Sequence, residues 1–225
     1  MTHQKRMATS KRMPLGRKAT KYLVCQSPGT HKKEESVSLV VALRDILQIV
    51  KTSRETKKIL STGDVLVNGD AVKDHRFPIG FLDEISFPAL KESYLVIYNQ
   101  LGKFEFKKQT KAAQRPSRII GKTMLSKGRT QLNLFAGKNI ILDKDAGYKV
   151  GDSVVLDKNK VTSHFKLEKG AKVFLTAGKH MGHNAVVDEI LDRVNLSTVQ
   201  KIIVKIGKES IETAKEYAYV VGGDL

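Results

Sequence analysis

Eight residues, Val65-Leu66-Val67-Asn68-Gly69-Asp70-Ala71-Val72, constrain the fold of this chain more than any other stretch. Asn-Gly is the residue pair that tolerates positive φ at both centres of a two-residue turn, and apolar runs on either side make that turn a β-hairpin. The strand is read over Val65–Val67, with Ala71-Val72 starting the return. What precedes it reads as helix. Leu39, Leu43, Ile46, Leu47 and Val50 recur at helical period, so a first helix is expected from Val37 to about Val50. Ser53 is the expected N-cap of a second helix, because its hydroxyl can accept from the free N–H groups of the next turn. That helix carries Lys57, Lys58, Ile59 and Leu60 and ends at Gly63, where a left-handed residue closes a helix. Arg44, Arg54, Lys57, Lys58 and Lys73 crowd this small helix-helix-hairpin unit, a shape suited to gripping a folded polyanion.

Charge supports that partner class. The 225 residues carry a formal net charge of +17. Such an excess argues for nucleic acid first and an anionic membrane second; a basic surface kept only for solubility is the plainer alternative. The chain has no Trp and few aromatic residues, so serial stacking on single-stranded bases is not the leading mode. Folded RNA read by shape and backbone fits better. Cys25 is the only cysteine, which excludes an internal disulfide and favours a cytosolic compartment. No apolar run approaches the roughly 20 residues of a membrane span, and no apolar segment follows the basic N-terminus as a signal peptide requires.

Residues 1–36 form a basic N-terminal extension. Lys5, Arg6, Lys11, Arg12, Arg17, Lys18, Lys21, Lys32 and Lys33 precede the first acidic residue, Glu34. With few large apolar residues, this arm is expected to lack a fixed structure alone and to order against phosphates. Residues 37–100 hold the helix-helix-hairpin unit and further strands, with a bend at Phe77-Pro78 and Gly80. From 101 to 171, short β-rich runs alternate with Gly128, Gly137, Gly147 and Gly151, the spacing of a small antiparallel barrel or sandwich. Lys107, Lys108, Lys111, Arg115 and Arg118 gather near its start. Residues 172–225 form a last small β unit. The fold class expected is α+β and multidomain.

Several motifs carry little chemistry. Gly121-Lys122-Thr123 ends like a phosphate-binding loop, but Pro116 stands where the motif needs its first Gly, and no strand-loop-helix context is suggested. His180-Met181-Gly182-His183 offers two ligands where a structural zinc site needs four; in a basic protein these histidines can instead meet RNA. Asp83-Glu84 and Asp188-Glu189 are neighbours whose side chains diverge in a strand, so each pair reads as surface charge, with Asp83 a candidate turn residue. Cys25 lacks the defined surroundings of a nucleophile. No catalytic, cofactor-binding or metal-binding residue is assigned.

LRDIL, SRETKKIL and GDVLVNGDAVKD resemble the small RNA-binding domain shared by ribosomal protein S4, certain pseudouridine synthases and tyrosyl-tRNA synthetases. The flanks choose among these hosts. HQKRMATSK, QSPGTHKKEES, FPIGFLDEIS, YKVGDSVVLD and TAGKHMGHNAVV resemble the small-subunit ribosomal protein S4e family of archaea and eukaryotes, in the same order from His3 to about Gly222. The short C-terminus after YAYVVGG resembles an archaeal member. The resemblance implies an S4-like α/β RNA-binding domain, a central β domain and a C-terminal SH3-like barrel of the KOW type, behind the basic extension. GKHMGHNAVVDEI lies on the KOW position: Gly178 and Gly182 match, whereas Ala185 stands where another Gly is common. The family arm often carries an aromatic residue where this chain has Arg12-Met13-Pro14.

The function implied is that of a structural constituent of the small ribosomal subunit, binding and stabilising its rRNA in the cytoplasm. Expected contacts to RNA are Lys5, Arg6, Lys11, Arg12, Arg17, Lys18, Arg44, Arg54, Lys57, Lys58, Lys73, Lys179 and His180, with Ser53 and Asn68-Gly69 structural. Expected partners are small-subunit rRNA and neighbouring ribosomal proteins, with no membrane, no DNA, no cofactor and no homo-oligomer. Two alternatives stand beside it: an RNA-modifying enzyme resembling a pseudouridine synthase, which would need a separate catalytic domain, and an extra-ribosomal RNA-binding regulator.

Overall fold

The computed structural model describes residues 3–109, 115–143, 147–157, 160–193, 195 and 198–223. Lys111, expected among the basic residues near 107–118, lies outside them. The chain divides into two units, Met1–Ala113 and Gln114–Leu225. It is mostly β, with few helices and several antiparallel sheets.

In the first unit the basic arm has a structure of its own, against the sequence expectation. β1 (His3–Lys5) and β2 (Tyr22–Val24) pair antiparallel, His3 against Val24. Met13, Leu23 and Cys25 are buried. Three apolar side chains suffice because the arm packs on the rest of the unit: the Phe104 N–H donates to the Arg12 carbonyl at 2.8 Å.

β3 (Ser36–Ser38) leads directly into a helix over Leu39–Val41 (α1), which continues as a π-helical turn over Ala42–Ile46. The expected helix is therefore shorter at both ends. Its start is extended because Ser36–Ser38 pairs with β6 (Pro78–Gly80), a partner about 40 residues away that local periodicity does not reveal. This strand also replaces the bend expected at Phe77–Gly80. The first free N–H groups of the helix are taken by loop carbonyls, Leu39 on Phe77 and Val40 on His75, both at 2.9 Å. Its end is set by the wide turn: the Leu47 N–H reaches back to the Ala42 carbonyl at 2.9 Å, and Gln48 follows at φ 54°. Leu39 to Leu43 are all buried, so this helix lies inside the core and has no single apolar stripe.

α2 (Ser53–Thr62) starts from Thr52 and not Ser53. Thr52 Oγ1 accepts from the Glu55 N–H, and the Glu55 carboxylate accepts from the Thr52 N–H, a reciprocal capping box. Gly63 closes the helix at φ 84°. β4 (Leu66–Val67) and β5 (Asp70–Ala71) form the expected hairpin, with Asn68 at φ 58° and Gly69 at φ 91°. β7 (Glu84–Phe87), β8 (Glu92–Tyr98) and β9 (Phe104–Gln109) complete an antiparallel sheet in the order β5-β4-β7-β8-β9. Phe104–Gln109, grouped by sequence with the central β segment, thus belongs to the first sheet through its pairing with β8.

The second unit holds two five-stranded antiparallel sheets. β10 (Pro116–Met124), β11 (Thr130–Leu134), β12 (Asn139–Leu142), β13 (Ser153–Asp157) and β14 (Lys160–Phe165) form the first, in the order β12-β11-β10-β13-β14. One half of β10 pairs with β13 and the other with β11, with a bulge at Ile120. Ile119, Leu132, Leu134, Ile140 and Val154 make its core. β15 (Lys172–Leu175), β16 (Asn184–Ile190), β17 (Lys201–Ile206), β18 (Glu209–Ala214) and β19 (Ala218–Val220) form the second, ordered β18-β17-β16-β15-β19, over Val173, Leu175, Val187, Ile202 and Val204. Gly121-Lys122-Thr123 lies inside β10, which removes the strand-loop-helix context of a phosphate-binding loop.

Candidate nucleic-acid interface

On α2, Arg54, Lys57 and Lys58 stand at i, i+3 and i+4, and all three are exposed. That spacing places them on one helical face, since three and four residues make about one turn. Leu60 and Thr56 hold the opposite side of the helix in the core. Lys73 is exposed in the loop after β5. The neighbouring His75 imidazole is pushed below its usual range, first by burial and then by the positive charge of Lys57. Lys57 and the loop carrying His75 therefore share one electrostatic environment. Lys51, exposed just ahead of the helix, adds a cation to this end of the unit.

Arg44 is engaged inside the protein. Its Nε and Nη2 fork onto the Asp45 carboxylate at 3.1 and 2.8 Å, and Nη1 donates to Ser53 Oγ at 2.7 Å. The Asp45 hydrogen bonds raise the guanidinium pKa against the opposing effect of burial. Ser53, read from sequence as a cap, instead accepts from Arg44 and so ties the π-helical turn to the start of α2.

In the arm, Lys5, Lys11, Arg17 and Lys18 are exposed. Arg6 is buried, at 7% exposure, and turned inward. Its Nε donates to the Gly16 carbonyl and its Nη1 to Thr20 Oγ1, both at 2.7 Å. It closes the loop that displays Arg17 and Lys18, so its role is in the fold of the arm. Arg12 is also held: Nη1 lies 3.2 Å from Glu35 Oε1 and 3.3 Å from the Tyr98 hydroxyl, with the guanidinium 5.4 Å from the Tyr98 ring centre. Burial pushes the Tyr98 hydroxyl up to about 12, so it stays a neutral donor or acceptor. Tyr22 is 49% exposed, with the His3 ring at 4.9 Å and the Lys21 ammonium 5.4 Å from its ring centre.

Asp83, read as surface charge or a turn residue, is buried at 4% exposure. Oδ2 accepts from the Gly80 N–H at 2.9 Å and faces His31 Nε2 at 2.8 Å, while Oδ1 accepts from Asn68 Nδ2 at 2.7 Å. Asn68 Oδ1 in turn accepts from the Glu84 N–H at 3.0 Å. The turn residue and the arm residue thus meet on one carboxylate. Asp188 sits on β16 and pairs with Lys205 at 2.9 Å, which lowers its pKa.

In the second unit Lys179 is exposed and His180 half-buried, both in the loop between β15 and β16. Gly178 and Gly182 have φ of 90° and 84°, the left-handed values that favour glycine. Ala185 is an ordinary strand residue, buried and paired with Val173 in the core; the loop makes no left-handed demand at that position. His183 Nδ1 lies 3.2 Å from the His180 carbonyl. Among the described residues no group of three His, Cys, Asp or Glu could hold a metal ion, and no helix is long and apolar enough to cross a membrane.

Of the residues read from sequence as RNA contacts, the exposed cations thus lie in the arm, on the α2 face, in the loop after β5 and in the loop after β15. The cations on α2 rest on a capped helix, and those of the arm on a loop closed by Arg6, so phosphates would meet positions already fixed.

Comparison with known proteins identifies the family. The profile of the ribosomal family S4e matches residues 90–163. The small ribosomal subunit protein eS4 of Methanocella arvoryzae is 38% identical over 224 residues, covering 99% of this chain and 94% of that protein. The eS4 protein of Archaeoglobus fulgidus is 36% identical over 223 residues, covering 98% and 93%. Among solved structures, the crystal structure of 30S ribosomal protein S4e from Thermoplasma acidophilum superposes with a TM-score of 0.70 at 30% identity, covering 84% of this chain and 95% of that one. With relatives this similar over nearly its whole length, and with a matching fold, the chain belongs to the S4e family of ribosomal proteins.

Proposed function

We propose that this chain is a structural constituent of the small ribosomal subunit, without catalytic activity, which binds and stabilises small-subunit rRNA in the cytoplasm beside other ribosomal proteins. The observation that carries the reading is the near full-length identity to relatives named small ribosomal subunit protein eS4. The RNA-modifying alternative gains no support from these relatives.

The exposed cations Lys5, Lys11, Arg17, Lys18, Arg54, Lys57, Lys58, Lys73 and Lys179 meet phosphates, and His180 meets RNA beside Lys179. Arg6, Arg12 and Arg44 hold the protein's own structure. The S4-like RNA-binding domain begins near residue 37 and is preceded by the basic extension. A central β domain follows, and residues 172–225 form an SH3-like barrel of the KOW type. The five-stranded order β18-β17-β16-β15-β19 and the 3₁₀ turn Lys215–Tyr217 before the last strand support that assignment. The chain forms no homo-oligomer and acts apart from membranes and DNA.

Gradient sedimentation of ribosomes from cells expressing the tagged chain tests the reading. The chain is expected to migrate with the small subunit and its rRNA. Migration as free protein, or with the large subunit, would overturn it and favour an extra-ribosomal regulator.

A further inference from the structure

Beside the loop between β15 and β16 lies a cavity of about 350 Å³. Leu175, at 1% exposure, and Ile211 give it an apolar floor. Tyr217, 38% exposed, and His180 bring rings to its wall, and Lys179 stands exposed at its mouth. Glu212 lines it as well, its carboxylate 2.8 Å from Lys201 Nζ. The walls are fixed. The Tyr217 carbonyl accepts from the Thr176 N–H at 2.9 Å and from Thr176 Oγ1 at 3.2 Å. A Cβ added at Gly178 would lie 3.5 Å from the Tyr217 ring, so the loop and the ring are in close packing.

We propose that this cavity takes the base of one nucleotide extruded from the rRNA, with the phosphate of that nucleotide on Lys179; the proposal rests on the ribosomal reading above. The volume sits at the small end of the roughly 300–1,000 Å³ of small-molecule sites, the scale of a single nucleotide and too small for a helix. An aromatic wall over an apolar floor suits the flat face of a base, and unpaired bases are the parts of folded RNA that proteins stack on and read at their edges. The Glu212 carboxylate is an acceptor, matched to the N–H groups of a base edge. The cation at the mouth and the net charge of +17 select a polyanion as the source.

The test uses the full chain. Amide NMR signals are followed during titration with GMP and, separately, with inorganic phosphate. GMP is expected to shift signals of residues 177–180 and 211–217, whereas phosphate alone is expected to move at most those around Lys179 and not those of 211–217. Shifts scattered over the basic surface, or the same shifts with phosphate, would overturn the proposal. Ala177→Trp fills the cavity from the loop, and Tyr217→Leu keeps bulk while removing the aromatic face. Each is expected to abolish the GMP shifts and to weaken rRNA binding about tenfold with the salt slope unchanged, because stacking releases no counterions. Unaltered rRNA affinity in both variants counts against the pocket. If the unsubstituted chain does not bind small-subunit rRNA, the ribosomal reading itself fails, while the GMP titration still reports on the cavity.

Discussion

His31 Nε2 lies 2.8 Å from Asp83 Oδ2, and both side chains are buried. Both Asp83 oxygens already accept from other groups, Asn68 Nδ2 on Oδ1 and the Gly80 N–H on Oδ2. The histidine must therefore donate through Nε2, because a third acceptor there would be repelled. One carboxylate joins the basic arm to the hairpin turn. Asp83→Ala is expected to destabilise the protein by roughly 2–4 kcal/mol, since two buried donors, the Gly80 N–H and His31, and the half-buried Asn68 amide lose their acceptor together. Urea unfolding monitored by circular dichroism measures this, and a loss below about half a kilocalorie, the usual scale of surface substitutions, would show that the junction is not structural.

Gly80 leaves room for the His31 ring. A Cβ built there would lie 2.4 Å from His31 Cγ and Nδ1, closer than any real contact. Gly80→Ala should cost about 1–3 kcal/mol by overpacking. His31→Ala in the same chain removes the obstacle, so the double variant should be more stable than the sum of the two single losses predicts. Thermal unfolding of the four proteins gives the coupling, and strict additivity would contradict the packing.

The cap of α2 makes a pH-dependent contribution. Backbone hydrogen bonds from Lys51 and Thr52 hold the Glu55 carboxyl below the usual glutamate range. A carboxyl with a depressed folded pKa stabilises most above its unfolded pKa, and the contribution fades as pH falls through the folded value. The difference in stability between the parent and Glu55→Ala should therefore be largest near neutrality and shrink in acid. Thr52→Ala should cost about 1 kcal/mol, the ordinary value of an N-cap. Denaturation across pH checks the trend; a difference that grows on acidification would reverse the assignment.

Arg54, Lys57 and Lys58 share one exposed face. Reversing all three to Glu is expected to weaken binding to small-subunit rRNA. It should also flatten the salt dependence, by about one unit of slope for each phosphate no longer neutralised. Arg6→Ala should behave differently, lowering the thermal stability of the arm with a smaller change in slope, because its donors face Gly16 and Thr20. Filter binding over a salt series separates the two, and an unchanged slope in the triple variant would remove α2 from the interface.

What could be read from the sequence was local. The Asn68-Gly69 hairpin and the Gly63 stop follow from backbone demands that act within a few residues, and both are in place. The length of the first helix was not legible. Ser36–Ser38 is drawn into a strand by Pro78–Gly80, and the π-helical turn diverts the end, while the apolar spacing runs on through Leu47 and Val50. The cap of α2 was legible but misplaced by one residue: Thr52, with Glu55 three positions on, fits the reciprocal pattern, whereas Ser53 is followed at that distance by Thr56. Charge counting located the basic segments but could not tell Arg17 from Arg6 or Arg54 from Arg44. Whether an arginine faces outward depends on carbonyls, hydroxyls and carboxylates that only the fold brings near.

The anchoring of the arm also bears on the thermodynamics of assembly. A free peptide of some 30 residues would surrender roughly 1–2 kcal/mol of backbone entropy per residue on settling between RNA helices. Here the His31 junction, the Arg6 loop closure and the bond from Phe104 to Arg12 have already confined much of that segment. On the function proposed above, its cations would approach RNA as part of a preorganised body, and more of each phosphate contact would remain as net affinity.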